Sequence, residues 1–245
     1  MSGNVNVANK KKILLIAANE AKSPITGWQT GFWWSELTHP FWTFTEAGYE
    51  VEIRSPKGGK LFADSFSDPE DQSQYSVHDI LSLGFKKSQH HMNLIENTKS
   101  IDDVNIKDYD AIFVIGGQSP MISFKGDKKL VSLVREFYEA GKVTALVCHG
   151  TCLLLEIKLS NGELLILDKT WTGFSDQEEK FAEEFVKGKI QPFWIETEAR
   201  KIDKTNFLTN QPFRPFAIRD GNLITGQQQF SGTEAARLVI ETLGR

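Results

Sequence analysis

Apolar runs bounded by turn formers recur along the chain at ILLIAA (13–18), YEVEIRS (49–55), AIFVIGG (111–117) and VTALVCHG (143–150). Their length and β-rich composition predict strands. The third and fourth are nearly unbroken rather than alternating, the pattern of a strand covered on both faces, so they belong at the centre of a parallel sheet. Helical spacing fills the intervals at 31–47, 127–140, a run after His149, 176–187 and 232–243. Two of these segments stop at Ala47-Gly48 and Ala140-Gly141, where glycine supplies a left-handed C-terminal cap. Strands alternating with helices predict βαβ units, hence an α/β fold with a mainly parallel central sheet and helices on both faces. Ligands in such sheets bind beyond the carboxyl ends of the strands, which directs attention to the residues after Ile115 and Val147.

Two stretches break the periodicity. Residues 57–99 are rich in Ser, Asp, Gln and Gly and read as a long lid-like insertion. Residues 188–216 carry Pro192, Trp194, Pro212 and Pro215 and read as short strands and turns at the sheet edge. Neither resembles a linker, so residues 1–245 are expected to form one domain.

The composition is that of an ordinary globular protein, 40% hydrophobic and 24% charged, with a formal net charge of −4. The strongest basic run is Lys10-Lys11-Lys12, so nucleic acid is not an expected partner. The start is polar, without the apolar core of a signal peptide, and no apolar run is long enough for a bilayer, so no membrane partner is expected. Cys148 and Cys152, four residues apart, make no disulfide framework; a reducing cytoplasm fits best. The five histidines form no HExxH pattern and paired CxxC motifs are absent, so no catalytic metal is expected.

Cys148 follows the apolar run ALV and precedes His149-Gly150, after which Leu153-Leu154-Leu155 predicts a helix. Strand, sharp turn and helix make a nucleophile elbow, which lifts a side chain above the sheet end. The positive end of the helix there is expected to favour the thiolate. Cys152, one turn on, reads as a core residue. Gly116-Gly117 closes the preceding strand; its amides and that of His149 are placed to form an oxyanion hole. Glu36 lies in an aromatic helical segment with Pro40 four residues on. Among Trp33, Trp34 and Phe41 its carboxylate would be desolvated and its pKa raised, although on pattern alone a solvated glutamate is the commoner outcome.

The segments AIFVIGGQSP, ALVCHGTC, TGFWWSELTHPFWTFTEAGYEV and TWTGFSDQEE resemble the ThiJ/PfpI superfamily, which shares the flavodoxin-like class I glutamine amidotransferase fold. The resemblance runs from about Lys12 to Leu243. Its most specific element is a GG strand end followed about thirty residues later by a CHG elbow, and the detail is similar to the branch of glutathione-independent glyoxalase III enzymes and heat-shock chaperones. That resemblance implies Cys148 as nucleophile, His149 beside it and Glu36 as the helix-borne acid. It further implies Glu179, with Glu178 one register away, as the acid that orients His149. Gly117 and His149 would supply the oxyanion-hole amides. Three departures stand out: Gln118-Ser119 after the glycine pair, Thr151-Cys152 after the elbow, and Gln228-Gln229-Phe230 near the C-terminus. All three are expected near the pocket mouth.

The expected activity is a cofactor-free lyase of the D-lactate dehydratase type, converting methylglyoxal or a similar small 2-oxoaldehyde into a 2-hydroxy acid through a cysteine hemithioacetal. A small carbonyl compound is the expected partner. Alternatives are a cysteine-dependent deglycase, a small amidase or peptidase, and a holding chaperone. A glutaminase is disfavoured because its triad needs a histidine downstream of the cysteine and none follows His149. Family members usually pair, and the aromatic excess exceeds one obvious core, so a homodimer is expected.

Overall fold

The computed structural model describes residues 10–244. Along the chain run β1 (Lys12–Ile16), β2 (Ala21–Lys22), β3 (Gln29–Thr30), α1 (Trp34–Glu46), β4 (Glu50–Ser55), α2 (Ile80–Lys87), α3 (Gln89–Glu96), β5 (Lys99–Ser100) and β6 (Ala111–Val114). There follow α4 (Pro120–Ser123), α5 (Lys128–Glu139), β7 (Val143–Val147), β8 (Thr170–Trp171), α6 (Asp176–Val186), α7 (Ile195–Ala199), β9 (Asn206–Phe207), β10 (Ala217–Asp220), β11 (Leu223–Gly226) and α8 (Gly232–Leu243). Seven strands form the central sheet in the order β10-β11-β7-β6-β1-β4-β5, parallel throughout except for the β10–β11 hairpin. The expected α/β fold with a mainly parallel sheet is therefore present, and the four predicted strands occupy β1, β4, β6 and β7.

Alternation along the strands divides the core in two. Leu14 and Ile16 join Ile112, Val114, Phe137 and Trp171 on one face, while Ile13 and Leu15 join Leu37, Phe44, Phe113 and Val239 on the other. Every residue of β6 and β7 is buried, as unbroken apolar runs require. Pairing of Ile16 with Val114, Val114 with Leu146 and Val147 with Gly226 brings the carboxyl ends of β1, β6, β7 and β11 to one edge. Whatever follows those ends is gathered there.

Two features differ from the pattern-based reading. The helix expected after His149 is a 3-10 helix, Cys148–Leu155. The Thr151 hydroxyl donates to the Cys148 carbonyl at 2.6 Å, competing for the acceptor that an α-helical amide would use. The aperiodic stretch 57–99 carries α2 and α3 and buries Leu61, Phe85 and Ile95. Phe85 meets Phe41 edge-on at 5.3 Å and Trp34 at 6.1 Å, so this segment completes the core over α1. Phe85→Ala is expected to lower unfolding stability by about 3–5 kcal/mol, the range for deleting a buried aromatic ring. Urea unfolding checks this; a loss below about 1 kcal/mol would mean the segment is only peripherally docked.

Candidate active site

Strand β7 ends and the chain turns sharply, with Cys148 at φ 54°. A left-handed conformation in a non-glycine residue is held only where the surroundings over-determine it. It lifts the thiol over the sheet edge beside the end of β6. There Gly116 and Gly117 close the gap between the elbow and α1. A Cβ on Gly116 would lie 2.8 Å from Glu36 Oε2 and 3.0 Å from Cys148 Cβ; one on Gly117, at φ 103°, would lie 2.5 Å from the Gly31 carbonyl oxygen. The glycine pair is therefore what lets the elbow, the β6 terminus and α1 meet.

Glu36 sits in the first turn of α1 and is fully buried. Its Oε2 accepts the Gly116 amide at 2.7 Å, and its Oε1 has no hydrogen-bond partner. Burial pushes its pKa up to about 7, while the Cys148 thiol and the Gly116 amide restrain the rise. Burial, and then the Glu36 charge, hold the Cys148 thiol well above its ordinary range, with the His149 amide offsetting part of this. That corrects the expectation of a resting thiolate: the 3-10 terminus does not outweigh desolvation and a facing carboxylate. At rest the thiol keeps its proton, with the Glu36 carboxyl facing it across the glycine turn.

On the other side of the sulfur, His149 Nδ1 lies 3.6 Å from Cys148 Sγ and Nε2 lies 2.9 Å from Glu179 Oε1. Burial lowers the imidazole pKa, but the Glu179 carboxylate more than compensates and the net shift is upward. Phe174 lies 4.2 Å from the imidazole, ring centroid to ring centroid, and closes its outer side. Glu179 rather than Glu178 meets the histidine because Glu178 is committed elsewhere. It forms a capping box with Ser175 at the start of α6 and accepts the Phe213 amide (2.8 Å) and the Gln227 side chain (3.0 Å).

Asp64, from the stretch before α2, was not among the candidates. It is buried, accepting the Gly31 amide at 2.9 Å and the Gln118 amide at 2.6 Å. Burial raises its pKa to about 7 against the pull of those two amides. It thereby clamps the turn after Gly117 to the entry of α1. Nothing in its local sequence signals this, since both partners are distant in the chain.

Cys152 belongs to the core, its sulfur on the Pro120 carbonyl at 3.6 Å. The departures from the resembled pattern do not all lie at the pocket mouth. Gln118 and Gln229 line the cavity over Cys148, and Phe230 faces a neighbouring one. Ser119, Thr151 and Cys152 are buried, with Ser119 donating to the Asn19 carbonyl at 2.5 Å.

A carboxyl whose pKa rises from 4.5 to about 7 on folding favours the native state while protonated. That contribution is full below 4.5 and is lost as the pH rises through 7. At about 1.36 kcal/mol per pH unit, the buried charge costs about 3 kcal/mol at pH 8. Glu36→Gln keeps an acceptor for Gly116 and removes the charge. The variant is therefore expected to unfold at a higher temperature than the parent at pH 8 and at nearly the same temperature at pH 4.5. A lower melting temperature at pH 8 would show that the carboxylate is not strained there.

The chain was also compared with known proteins. The family model for the DJ-1/PfpI family matches residues 28–242. Among curated relatives, the chain is 28% identical to the probable glutathione-independent glyoxalase hsp3103 of Schizosaccharomyces pombe, over 96% of this chain and 99% of that protein. It is 28% identical to glyoxalase 3 of Candida albicans, over 87% of this chain and 90% of that protein. Among solved structures, the rapid encystment protein REP24 of Francisella tularensis superposes with a TM-score of 0.84 at 29% identity, over 96% of this chain and 100% of that one. Candida albicans glyoxalase III superposes with a TM-score of 0.76 at 26% identity, over 95% and 97% of the two chains. The glycine-lined meeting of elbow and helix thus stands in a chain that matches one family from Trp28 to Thr242, and this protein belongs to the DJ-1/PfpI family.

Proposed function

We propose that this chain is a glutathione-independent glyoxalase that isomerises a 2-oxoaldehyde to a 2-hydroxy acid without a cofactor. The observation that carries the reading is the buried Cys148–Glu36 couple, with a second couple, His149–Glu179, on the far side of the sulfur. A thiol and a carboxyl with both pKa values raised can pass one proton between them at neutral pH, as the reaction requires. The relatives named probable glutathione-independent glyoxalase hsp3103 and glyoxalase 3 support the same chemistry.

In the first step Glu36 takes the thiol proton as sulfur adds to the aldehyde carbon. It returns that proton to the aldehyde oxygen, giving a hemithioacetal. The Glu36 carboxylate then removes the hydrogen of the former aldehyde carbon as a proton, while the His149 imidazolium protonates the neighbouring carbonyl oxygen, so an enediol forms. Glu36 delivers its proton to the neighbouring carbon, and the hydroxyl on the sulfur-bearing carbon returns its proton to His149. This leaves a 2-hydroxy thioester. Water cleaves the carbon–sulfur bond, restoring the thiol and releasing the 2-hydroxy acid. The aldehyde carbon is oxidised and its neighbour reduced, so no external electron carrier enters. The amides of Gly117 and His149 are the proposed stabilisers of the oxyanion at addition and at thioester hydrolysis.

The proposal extends to a homodimer in a reducing cytoplasm. The two free cysteines and the exposed Ile80 and Leu81 support it.

Methylglyoxal consumption with D-lactate detection tests the division of roles. Cys148→Ser is expected to fall to background, because a hydroxyl is much less acidic and less nucleophilic than a thiol and Glu36 would not take its proton as readily. Glu36→Gln is expected to lose about 10²- to 10⁴-fold, the range for a general base. Cys152→Ser keeps most activity. In the parent, kcat/KM is expected to rise with pH and level off above about 7 as Glu36 ionises, and this limb vanishes in Glu36→Gln. An active Cys148→Ser protein, or a parent that consumes no 2-oxoaldehyde, contradicts the assignment.

A further inference from the structure

The cavity over Cys148 is larger and more aromatic than methylglyoxal requires. Its volume is about 260 Å³. An apolar cavity of about 150 Å³ accepts a benzene molecule, so this one has room for a ring together with a dicarbonyl group. Methylglyoxal, whose substituent is a single methyl, would leave much of that space as poorly bound water. The walls are largely aromatic. Phe66 lies between Trp28 and Phe185 at centroid distances of 6.4 and 5.9 Å, Tyr75 approaches Phe185 at 6.1 Å, and Phe181 meets Phe213 at 5.0 Å. All of these rings line the cavity.

Three of them stand at the rim incompletely covered: Trp28 is 43%, Phe181 48% and Phe185 55% exposed. Apolar rings left half in water around a reactive cysteine are relieved when an apolar group packs against them. Charge adds a second selection. No lysine or arginine lines the cavity among the described residues, whereas the Asp64 carboxyl does. An anionic substituent would find no lysine or arginine to pair with, the His149 imidazole being already held by Glu179, and an acidic side chain in the wall.

From this we infer that the preferred substrates are 2-oxoaldehydes bearing an uncharged aryl or comparably bulky apolar substituent, phenylglyoxal being the simplest. The substituent packs against the ring cluster of Trp28, Phe66, Tyr75 and Phe185 while the aldehyde carbon meets Cys148. This rests on the glyoxalase reading for the chemistry and on the cavity alone for the preference. Filling hydrophobic space distinguishes ligands by roughly 10- to 200-fold per methylene-sized difference, so kcat/KM for phenylglyoxal is expected to exceed that for methylglyoxal by about 10-fold or more.

The test compares phenylglyoxal, 4-carboxyphenylglyoxal and methylglyoxal on the full-length protein, detecting the 2-hydroxy acid formed. Phenylglyoxal is expected to be the best substrate, and its carboxylated analogue is expected to lose that advantage. Phe185→Ala and Trp28→Ala remove half-exposed rings. Each is expected to lower the phenylglyoxal-to-methylglyoxal ratio by about 10-fold, chiefly through KM, which separates a pocket effect from the intrinsic reactivity of the aldehydes. Protection of Cys148 from iodoacetamide by acetophenone against acetone reads the same preference without turnover. Equal Cys148-dependent turnover of phenylglyoxal and methylglyoxal, with a ratio unmoved by either variant, overturns the specificity and leaves the lyase reading standing. If neither aldehyde is turned over, the lyase reading falls. The protection assay then decides the pocket's preference, stronger protection by acetophenone supporting it and equal protection overturning it.

Discussion

A single hydrogen bond, from the Gly116 amide to Glu36 Oε2, joins the end of β6 to the first turn of α1, and the site is organised around it. It places a carboxyl with no access to water against the nucleophile. It also requires that nothing larger than a hydrogen stand on Gly116, and it brings α1 close enough for Gly117 to rest on Gly31. On the far side of the helix, Gly232 at the start of α8 lies against Pro40 and the Glu36 backbone. A side chain at Gly116 or Gly117 would push helix and sheet apart, and one at Gly232 would crowd the contact of α8 with α1.

The rest of the site keeps this carboxyl useful. An isolated buried charge would simply neutralise. Here one oxygen is held by an amide, the other is left without a partner, and His149 is held in the same pocket by Glu179. Asp64 fastens the turn after Gly117 from the opposite wall. A left-handed cysteine, a partly unsatisfied carboxyl and exposed rim aromatics all oppose stability at one place. The central strands β6 and β7, buried along their whole length, provide the stability that tolerates them.

The sheet was legible because its signal is local. Unbroken apolar runs ending in glycines located β6 and β7 and hence the edge where chemistry gathers. Cys148 and His149 were legible with them, being the next residues in the chain. Glu36 and Glu179 were singled out by resemblance, because their burial is set by partners far away in sequence. The choice between Glu178 and Glu179 was in fact readable: Ser175 followed three residues later by Glu178 is a capping-box pattern, which commits Glu178 to its own helix end. Asp64 left no such trace, since its role consists of accepting amides of Gly31 and Gln118 across the fold. The resting state of Cys148 was misread for a related reason, because the helix-end effect is visible in sequence and the desolvation that exceeds it is not.

The central claim is that Glu36 shares its proton with the site near neutral pH. Infrared spectroscopy tests it directly, by following the carbonyl stretch of protonated carboxyl groups against pH in the parent and in Glu36→Gln. The difference between the two isolates Glu36 from Asp64. The account predicts a protonated-carboxyl band present in the difference spectrum at pH 5.5 and lost with a midpoint near 7. A band already absent at pH 5.5 would show an ordinary ionised glutamate and contradict the account.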